Sequence, residues 1–205
     1  MNMYRLITLI VICISFNGYG QVMSASQQDS VMKLIDRRIH ATKTLSMEFR
    51  MVRSLSAMTM ALEQSGTIYF QHSDKLRYVL DGSDPWIMVV NGSSVFVKDG
   101  DKPIQKRGKG MSKLKDFIVS SLNGDTFRSN DFSKSFFAKG QAITITLTPK
   151  PTQLKKYMKE IRVQLDNQHN VTDFVLVQPN GDSTQYIFSN LKRNTKLEPK
   201  LFQLQ

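Results

Sequence analysis

The chain has 205 residues and a formal net charge of +11 at pH 7, and this length fits one domain with a sizeable core. Its only cysteine, Cys13, lies in an apolar N-terminal run. The rest of the chain has no thiol, which excludes disulfides, thiol catalysis and cysteine-ligated metal there. The basic charge suits anionic membrane surfaces or acidic protein partners, although lysines that only keep an exported protein soluble would give the same charge.

The N-terminal segment is predicted to be a cleaved signal peptide over residues 1–20. Arg5 supplies a positive charge, residues 6–16 are unbroken apolar, and small residues follow up to Gly20. The run is too short to span a bilayer as a helix. Cleavage is expected after Gly20, or five residues later, and a buried N-terminal helix is the alternative. We therefore expect a periplasmic protein with one domain over residues 21–205.

An amphipathic helix is predicted over residues 28–43. Val31, Ile35 and Ile39 recur at helical spacing, and Asp29 or Ser30 is a plausible N-cap.

The period then changes to two, which predicts a meander of antiparallel strands with one apolar face. Asp-Gly and Asn-Gly pairs at 81–82, 91–92 and 99–100 mark the turns. The residues predicted to line the inner face are Met47, Phe49, Met51, Met60, Leu62, Ile68, Phe70, Leu76, Tyr78, Leu80, Trp86 and Met88. An error of one residue in the strand register would replace Ile68 and Phe70 with Tyr69.

A second amphipathic helix is predicted before the remaining strands. Its apolar face carries Leu114, Phe117, Ile118 and Leu122, and Asn123-Gly124 is expected to end it. Strands are predicted at 132–138, 142–148, 160–166, 171–178 and 183–190, and a tail with Leu197, Leu201 and Phe202 is a candidate edge strand.

The predicted fold class is mainly β (α+β). Helices are expected to cover an unclosed antiparallel β-barrel, a strongly curved half-barrel that can enclose an apolar hollow.

Methionines are concentrated in the first predicted hairpin. Met47, Met51, Met58 and Met60 are expected on one face of it. Flexible methionines suit a surface that repacks around ligands of varying shape, and ordinary core filling explains them equally well.

Catalytic and metal-binding motifs are absent from the sequence. His40, His72 and His169 are scattered, and no nucleophile, zinc or phosphate-loop motif is present. We expect no enzyme activity, metal or cofactor, although a site assembled only in three dimensions is the alternative. Basic residues at 102–115 lack interleaved aromatics, so we expect no nucleic-acid binding and regard them as a candidate docking surface for a partner.

Several segments together resemble LolA-type periplasmic outer-membrane lipoprotein carriers. Residues 66–78 resemble that family's strand–turn–strand segment, residues 89–97 its next hairpin, and residues 145–150 its apolar strand ending in Pro-Lys. The order of these segments matches the family over residues 31–202, nearly the whole mature chain.

The resemblance implies a binding protein for acylated lipoproteins. It would receive them from an inner-membrane ABC-type exporter and deliver them to an outer-membrane acceptor or membrane surface, as a monomer without catalysis or cofactor. The helix residues at 114–122 would form the lid. His72 stands where the family has a lid-latching arginine, so the resemblance implies His72 as the candidate latch, since a histidine can donate a hydrogen bond in its place. The alternatives are an envelope sensor that binds lipid and regulates a partner, and a carrier for a specialised lipid pathway.

Overall fold

The computed structural model describes residues 20–72, 74–106 and 119–204. Most of the predicted signal peptide, and Leu114, Phe117 and Ile118, lie outside these ranges. The first helix, α1, spans Ala25–Ala41 and begins earlier than predicted. Ser24 is its N-cap and Gln27 completes a capping box, which satisfies two backbone N–H groups and displaces the predicted caps.

The strands form one antiparallel sheet. They are β1 (Gln21–Val22), β2 (Thr44–Ser54), β3 (Leu62–Gln71), β4 (Lys75–Leu80), β5 (Trp86–Asn91), β6 (Ser94–Asp99), β7 (Gln105–Lys106), β8 (Phe132–Lys139), β9 (Ala142–Pro149), β10 (Glu160–Leu165), β11 (Val171–Val177) and β12 (Ser183–Arg193). Their order is β1-β8-β9-β10-β11-β12-β2-β3-β4-β5-β6-β7, so β1 and β7 are edges and the barrel is not closed. The predicted fold class is confirmed.

Short helical segments complete the description. Residues 119–122 are helical, and α2 (Asp125–Arg128) and α3 (Thr152–Lys155) follow. No helix within the described ranges is long and apolar enough to cross a membrane.

Pairing of β12 with β2 joins the two halves of the sheet. Tyr186 lies opposite Met51 and Phe188 opposite Phe49, so both aromatics share the face on which Met51 and Phe49 are buried. Two groups of buried side chains lie at this inner face, and the second also includes side chains from α1 and α2. The first cluster contains Leu45, Met47, Phe49, Met51, Ile68, Phe70, Leu76, Tyr78, Met88, Val90, Val95 and Val97. The second cluster contains Val31, Ile35, Phe127, Phe132, Phe136, Ile145, Leu147, Ile161, Val163 and Leu165.

Two residues predicted for the inner lining are not buried in it. Met60 lies in the loop between β2 and β3 and is 76% exposed, and Leu62 is 46% exposed at the start of β3, opposite Arg53. Both Ser56 N–H and Ser56 O–H donate to Asp182 Oδ1, at 2.8 and 2.9 Å. This contact holds the loop at the end of the sheet, so Met60 does not lie on the inner face. Met58, half exposed in the same loop, is likewise not part of the predicted methionine surface.

The predicted edge strand in the C-terminal tail is wrong. Pro199–Phe202 is a 3₁₀-helix, and Phe202 is only 3% exposed. Pro199 has no N–H to donate to a strand ladder. The Arg77 guanidinium donates to the Leu201 carbonyl at 3.1 Å, which places the tail against β4.

Candidate functional site

An apolar cavity of about 160 Å³ lies between the inner face of the sheet, α1 and the helical segments at 119–128. Both clusters contribute to its wall. The apolar residues that line it are Ile35, Ile39, Leu45, Met47, Phe70, Leu122, Phe127, Leu147, Val163, Leu165, Val171, Phe174, Phe188 and Leu191. Because hydrophobic side chains form most of its wall, the cavity suits an apolar ligand group.

Three of the residues predicted for lipid binding line this cavity: Met47, Phe70 and Leu122. The other buried or half-buried members of the prediction lie beside it in the first cluster. They are Phe49, Met51, Ile68, Leu76, Tyr78, Leu80, Trp86 and Met88. The predicted strand parity therefore has the correct sense, because Ile68 and Phe70 are buried and Tyr69 is only half-buried.

Aromatic rings fill the first cluster next to the cavity. The Phe49 and Tyr78 rings stack with centroids 5.1 Å apart, and the Tyr78 and Trp86 rings meet edge to face at 6.1 Å. Burial, followed by the neighbouring Tyr186, raises the pKa of Tyr78 above its usual value. These rings form a neutral, packed floor.

Sequence reasoning missed the part of the wall supplied by the C-terminal strands. Leu147, Val163 and Leu165 are each 1% exposed and line the cavity together with Phe174 and Phe188. Their strands are predicted, but their place at the site is not. The available signal is the alternation 143, 145, 147 and 161, 163, 165, which has the same period as the strands assigned to the lining.

The helical segment at 119–128 is fastened to α1 by Arg128. Its guanidinium donates to Asp36 Oδ1 at 2.6 Å, to the Asn123 carbonyl at 2.8 Å and to Asp125 Oδ1 at 3.0 Å. The hydrogen bonds that Arg128 donates to Asp36 and Asp125 raise its pKa. Gly124 has a left-handed φ of +77°, as expected for the residue that ends a helix.

His72 does not occupy such a position. It is exposed at the end of β3, where its backbone N–H donates to the Lys43 carbonyl at 2.8 Å. Within the described ranges its ring makes no hydrogen bond. A latch role for His72 therefore stays a prediction, whereas the Arg128–Asp36 pair is a direct connection between two elements that cover the cavity.

One end of the cavity is polar. Arg38 from α1 and Arg193 from the end of β12 line it with His169. Both guanidinium groups donate to the side-chain oxygen of Asn170, each at 2.7 Å. Burial, followed by the charge of Arg38, lowers the pKa of Arg193.

A curved, unclosed sheet with helices over an apolar cavity defines a half-barrel fold. The sequence model of the family described as outer membrane lipoprotein carrier protein LolA matches residues 40–205. The chain belongs to the LolA family, as the sequence resemblance predicts.

Several solved structures match this chain over most of its length and have little sequence in common with it. A DUF1329 family protein from Desulfovibrio piger has 13% identity and a TM-score of 0.47, over 85% of this chain and 96% of that chain. A LolA superfamily protein from Nitrosomonas europaea has 7% identity and a TM-score of 0.44, over 86% and 97%. Lipoprotein LppX from Mycobacterium tuberculosis has 12% identity and a TM-score of 0.42, over 83% and 99%. No functionally curated protein matches the chain significantly.

Proposed function

We propose that this protein is a non-enzymatic periplasmic carrier that shelters acyl chains of lipoproteins between the inner and outer membranes. The observation that carries the proposal is the apolar cavity, to which both halves of the inner face contribute. Family membership supports the same function.

Transfer free energies explain why such a carrier is needed. At about 0.8 kcal/mol per methylene, exposing one palmitoyl-length chain to water costs roughly 12 kcal/mol. A lipoprotein with several chains would therefore leave a membrane extremely slowly without a protein that covers them. The carrier must still bind more weakly than the destination membrane, so its cavity has to open.

The size of the cavity suits a carrier in its closed form. An apolar protein cavity of about 150 Å³ binds benzene, and the cavity here is about 160 Å³. It accommodates part of one chain, so a complete acyl chain requires α1 and the 119–128 segment to move away from the sheet. The Arg128–Asp36 pair is partly exposed, with 41% and 43% of the two side chains accessible, and such pairs contribute little energy. Breaking this contact therefore adds little to the free energy of opening the cavity.

The proposed route has a donor and an acceptor. An inner-membrane ABC-type exporter would load the carrier, and an outer-membrane acceptor or the membrane surface would receive the cargo. The net charge of +11 suits approach to acidic partners or anionic lipid. No cofactor is required, because the cargo is transferred unchanged.

A matched pair of valine substitutions on β11 tests the cavity. Val171 lines it, whereas Val175 pairs with Arg162 and Gln185 on the opposite face. We expect Val171→Phe to lower the occupancy by a triacylated lipopeptide about tenfold or more, because the added ring occupies the cavity. Val175→Phe should leave occupancy unchanged. Native mass spectrometry of the purified protein with the lipopeptide gives both values.

Equal loss of occupancy in the two variants, with both folded by circular dichroism, would contradict a ligand site in this cavity. A wild-type protein that takes up free lipid but not lipopeptide would support the cavity and contradict the lipoprotein cargo. It would then favour a lipid sensor or a carrier for a specialised lipid.

A further inference from the structure

Arg38 and Arg193 converge from different elements at the polar end of the cavity. Arg38 lies in the last turns of α1 and Arg193 ends β12, and both guanidinium groups reach the Asn170 side-chain oxygen at 2.7 Å. Asn170 lies in the turn between β10 and β11. Two positive groups therefore share one neutral acceptor, which satisfies only a small part of their hydrogen-bonding capacity.

The carboxylate of Asp166 interacts electrostatically with both arginines but offsets only one of their two positive charges. Asp166 is hydrogen-bonded within its own turn: Oδ1 accepts from the N–H groups of Gln168 and Asn170, and Oδ2 accepts from the Asn170 amide. None of the ion pairs among the described residues includes Arg38 or Arg193. With one acid against two arginines, the polar end has a net positive charge.

The two arginines lie where their charge could contact a ligand bound in the cavity. Arg38 and Arg193 line the same space as Leu165 and Phe188, so an amphiphile with its chain among the apolar residues would place its head group at the arginines. The planar guanidinium fork matches a phosphate in two parallel hydrogen bonds, and a desolvated site strengthens them.

We propose that Arg38 and Arg193 form a binding site for the phosphate head group of an anionic phospholipid whose acyl chain occupies the cavity. The proposal uses the cavity of the proposed function and adds a ligand class to it. Asn170 holds the two guanidinium groups in position until the phosphate enters. The carrier then distinguishes anionic from neutral lipids, and anionic phospholipid competes with lipoprotein for the same space.

Short-chain lipids with equal tails test the head-group site. We expect wild-type protein to bind dioctanoyl-phosphatidylglycerol about tenfold or more tightly than dioctanoyl-phosphatidylcholine in calorimetric titrations below the micelle concentration, as charge-assisted hydrogen bonds allow. The double variant Arg38→Gln and Arg193→Gln should bind both lipids equally. Arg193→Lys, which keeps the charge but loses the fork, should retain part of the preference.

Arg50→Gln is the matched control. Arg50 lies on the outer face of β2, where it pairs with Glu63 at 3.2 Å, and its loss should leave the preference intact. Thermal unfolding of each ligand-free variant separates loss of folding from loss of binding. A folded double variant that keeps the wild-type preference would show that the arginines serve only to fasten α1, and it would overturn the proposal.

Further outcomes of these titrations distinguish the head-group site from the carrier function and from a site for free phosphate. Equal binding of both lipids by wild-type protein would overturn the head-group site and leave the cavity function standing. Absence of binding by either lipid and by triacylated lipopeptide would contradict the cavity function itself. Glycerophosphoglycerol, which has the same phosphodiester head group without tails, should bind far more weakly; binding as tight as that of the lipid would indicate a site for soluble phosphates instead.

Discussion

Gly66 lies where two neighbouring strands leave no room for a side chain. It pairs with Phe49 of β2 and Leu80 of β4, and a Cβ atom there would collide with the Val79 carbonyl oxygen and the Phe49 ring. Glycine in a strand often marks such a close approach. The glycine therefore positions the Phe49 ring that stacks on Tyr78.

We expect Gly66→Ala to lower the free energy of unfolding by about 2–4 kcal/mol, because backbone and a buried ring must both shift. Gly82→Ala is the control, since a Cβ there meets nothing closer than 3.9 Å and should change stability by about 0.5 kcal/mol or less. Urea denaturation measures both. Similar midpoints for the two variants would contradict the close packing at Gly66.

Asp182 gives the β2–β3 loop a dependence on pH. Hydrogen bonds from the Ser56 backbone and side chain, and from Asn180, lower the pKa of Asp182 below its usual value. A carboxyl group whose folded pKa is lowered stabilises the fold above its unfolded pKa, and this contribution disappears as the pH falls through the folded pKa.

We therefore expect Asp182→Asn to be less stable than wild type at pH 7 and the difference to shrink as the pH falls below about 4. Ser56→Ala, which removes one of the donors, should show a smaller change in the same direction. Unfolding free energies from denaturant titrations at pH 7 and pH 3 provide the comparison. A wild-type advantage that grows toward low pH would contradict this assignment.

At the scale of elements, Arg128 connects the two coverings of the cavity. Its guanidinium reaches Asp36 in α1 as well as the turn at Asn123 and Asp125. The Asp29–Lys33 pair, in contrast, joins two residues within α1 at 2.7 Å. The Arg128–Asp36 pair therefore connects two elements, whereas the Asp29–Lys33 pair supports only α1 itself.

We expect Arg128→Gln to speed amide hydrogen exchange in α1 by about two- to fivefold, which corresponds to the energy of a partly exposed ion pair. Asp36→Asn should act alike, and the double variant should add little, because both substitutions remove the same contact. Lys33→Gln should have a smaller effect. Additive effects of Arg128→Gln and Asp36→Asn would show that the two residues do not act as one latch.

Most helices and strands can be predicted from local sequence patterns, because alternation and turn residues act over short distances. Asn91-Gly92, for example, lies at the turn of the β5–β6 hairpin, with Gly92 at φ +59°. Met60 and Leu62 show where this reasoning stops. They continue the alternation of a strand, yet Met60 lies in a loop held by Ser56 and Asp182, residues that are 126 positions apart.

The C-terminal tail illustrates the same limit. Its apolar residues predict a strand, whereas Pro199 and the contact from Arg77 to Leu201 give a 3₁₀-helix against β4. The partner of the tail is more than a hundred residues away in sequence, so no local pattern could indicate it.

On the scale of the whole molecule, the pairing of β12 with β2 makes the site. It brings Phe188 beside Phe49, and it sets the cavity between two clusters that come from separate parts of the chain. Alternation along the strands predicts most of the buried residues of the first cluster, of which Met47 and Phe70 line the cavity. The sequence could not show that Leu147 and Val163 share the cavity, because strand order depends on long-range pairing that alternation does not encode.

The same long-range assembly explains why the polar end was not predicted. Arg38 and Asn170 are 132 residues apart, and Arg193, at the end of β12, contacts Asn170 in the β10–β11 turn. Each is an ordinary polar residue in its local sequence. Only the folded sheet places both arginines beside an apolar cavity, where their charge can select a ligand.

The most direct test of the carrier account is native mass spectrometry of the full-length gene product, recovered gently from the envelope of its own host. We expect adducts with the mass of acylated lipoprotein, which Val171→Phe should remove and Val175→Phe should retain. A clean ligand-free mass that also resists loading with triacylated lipopeptide would contradict the carrier account.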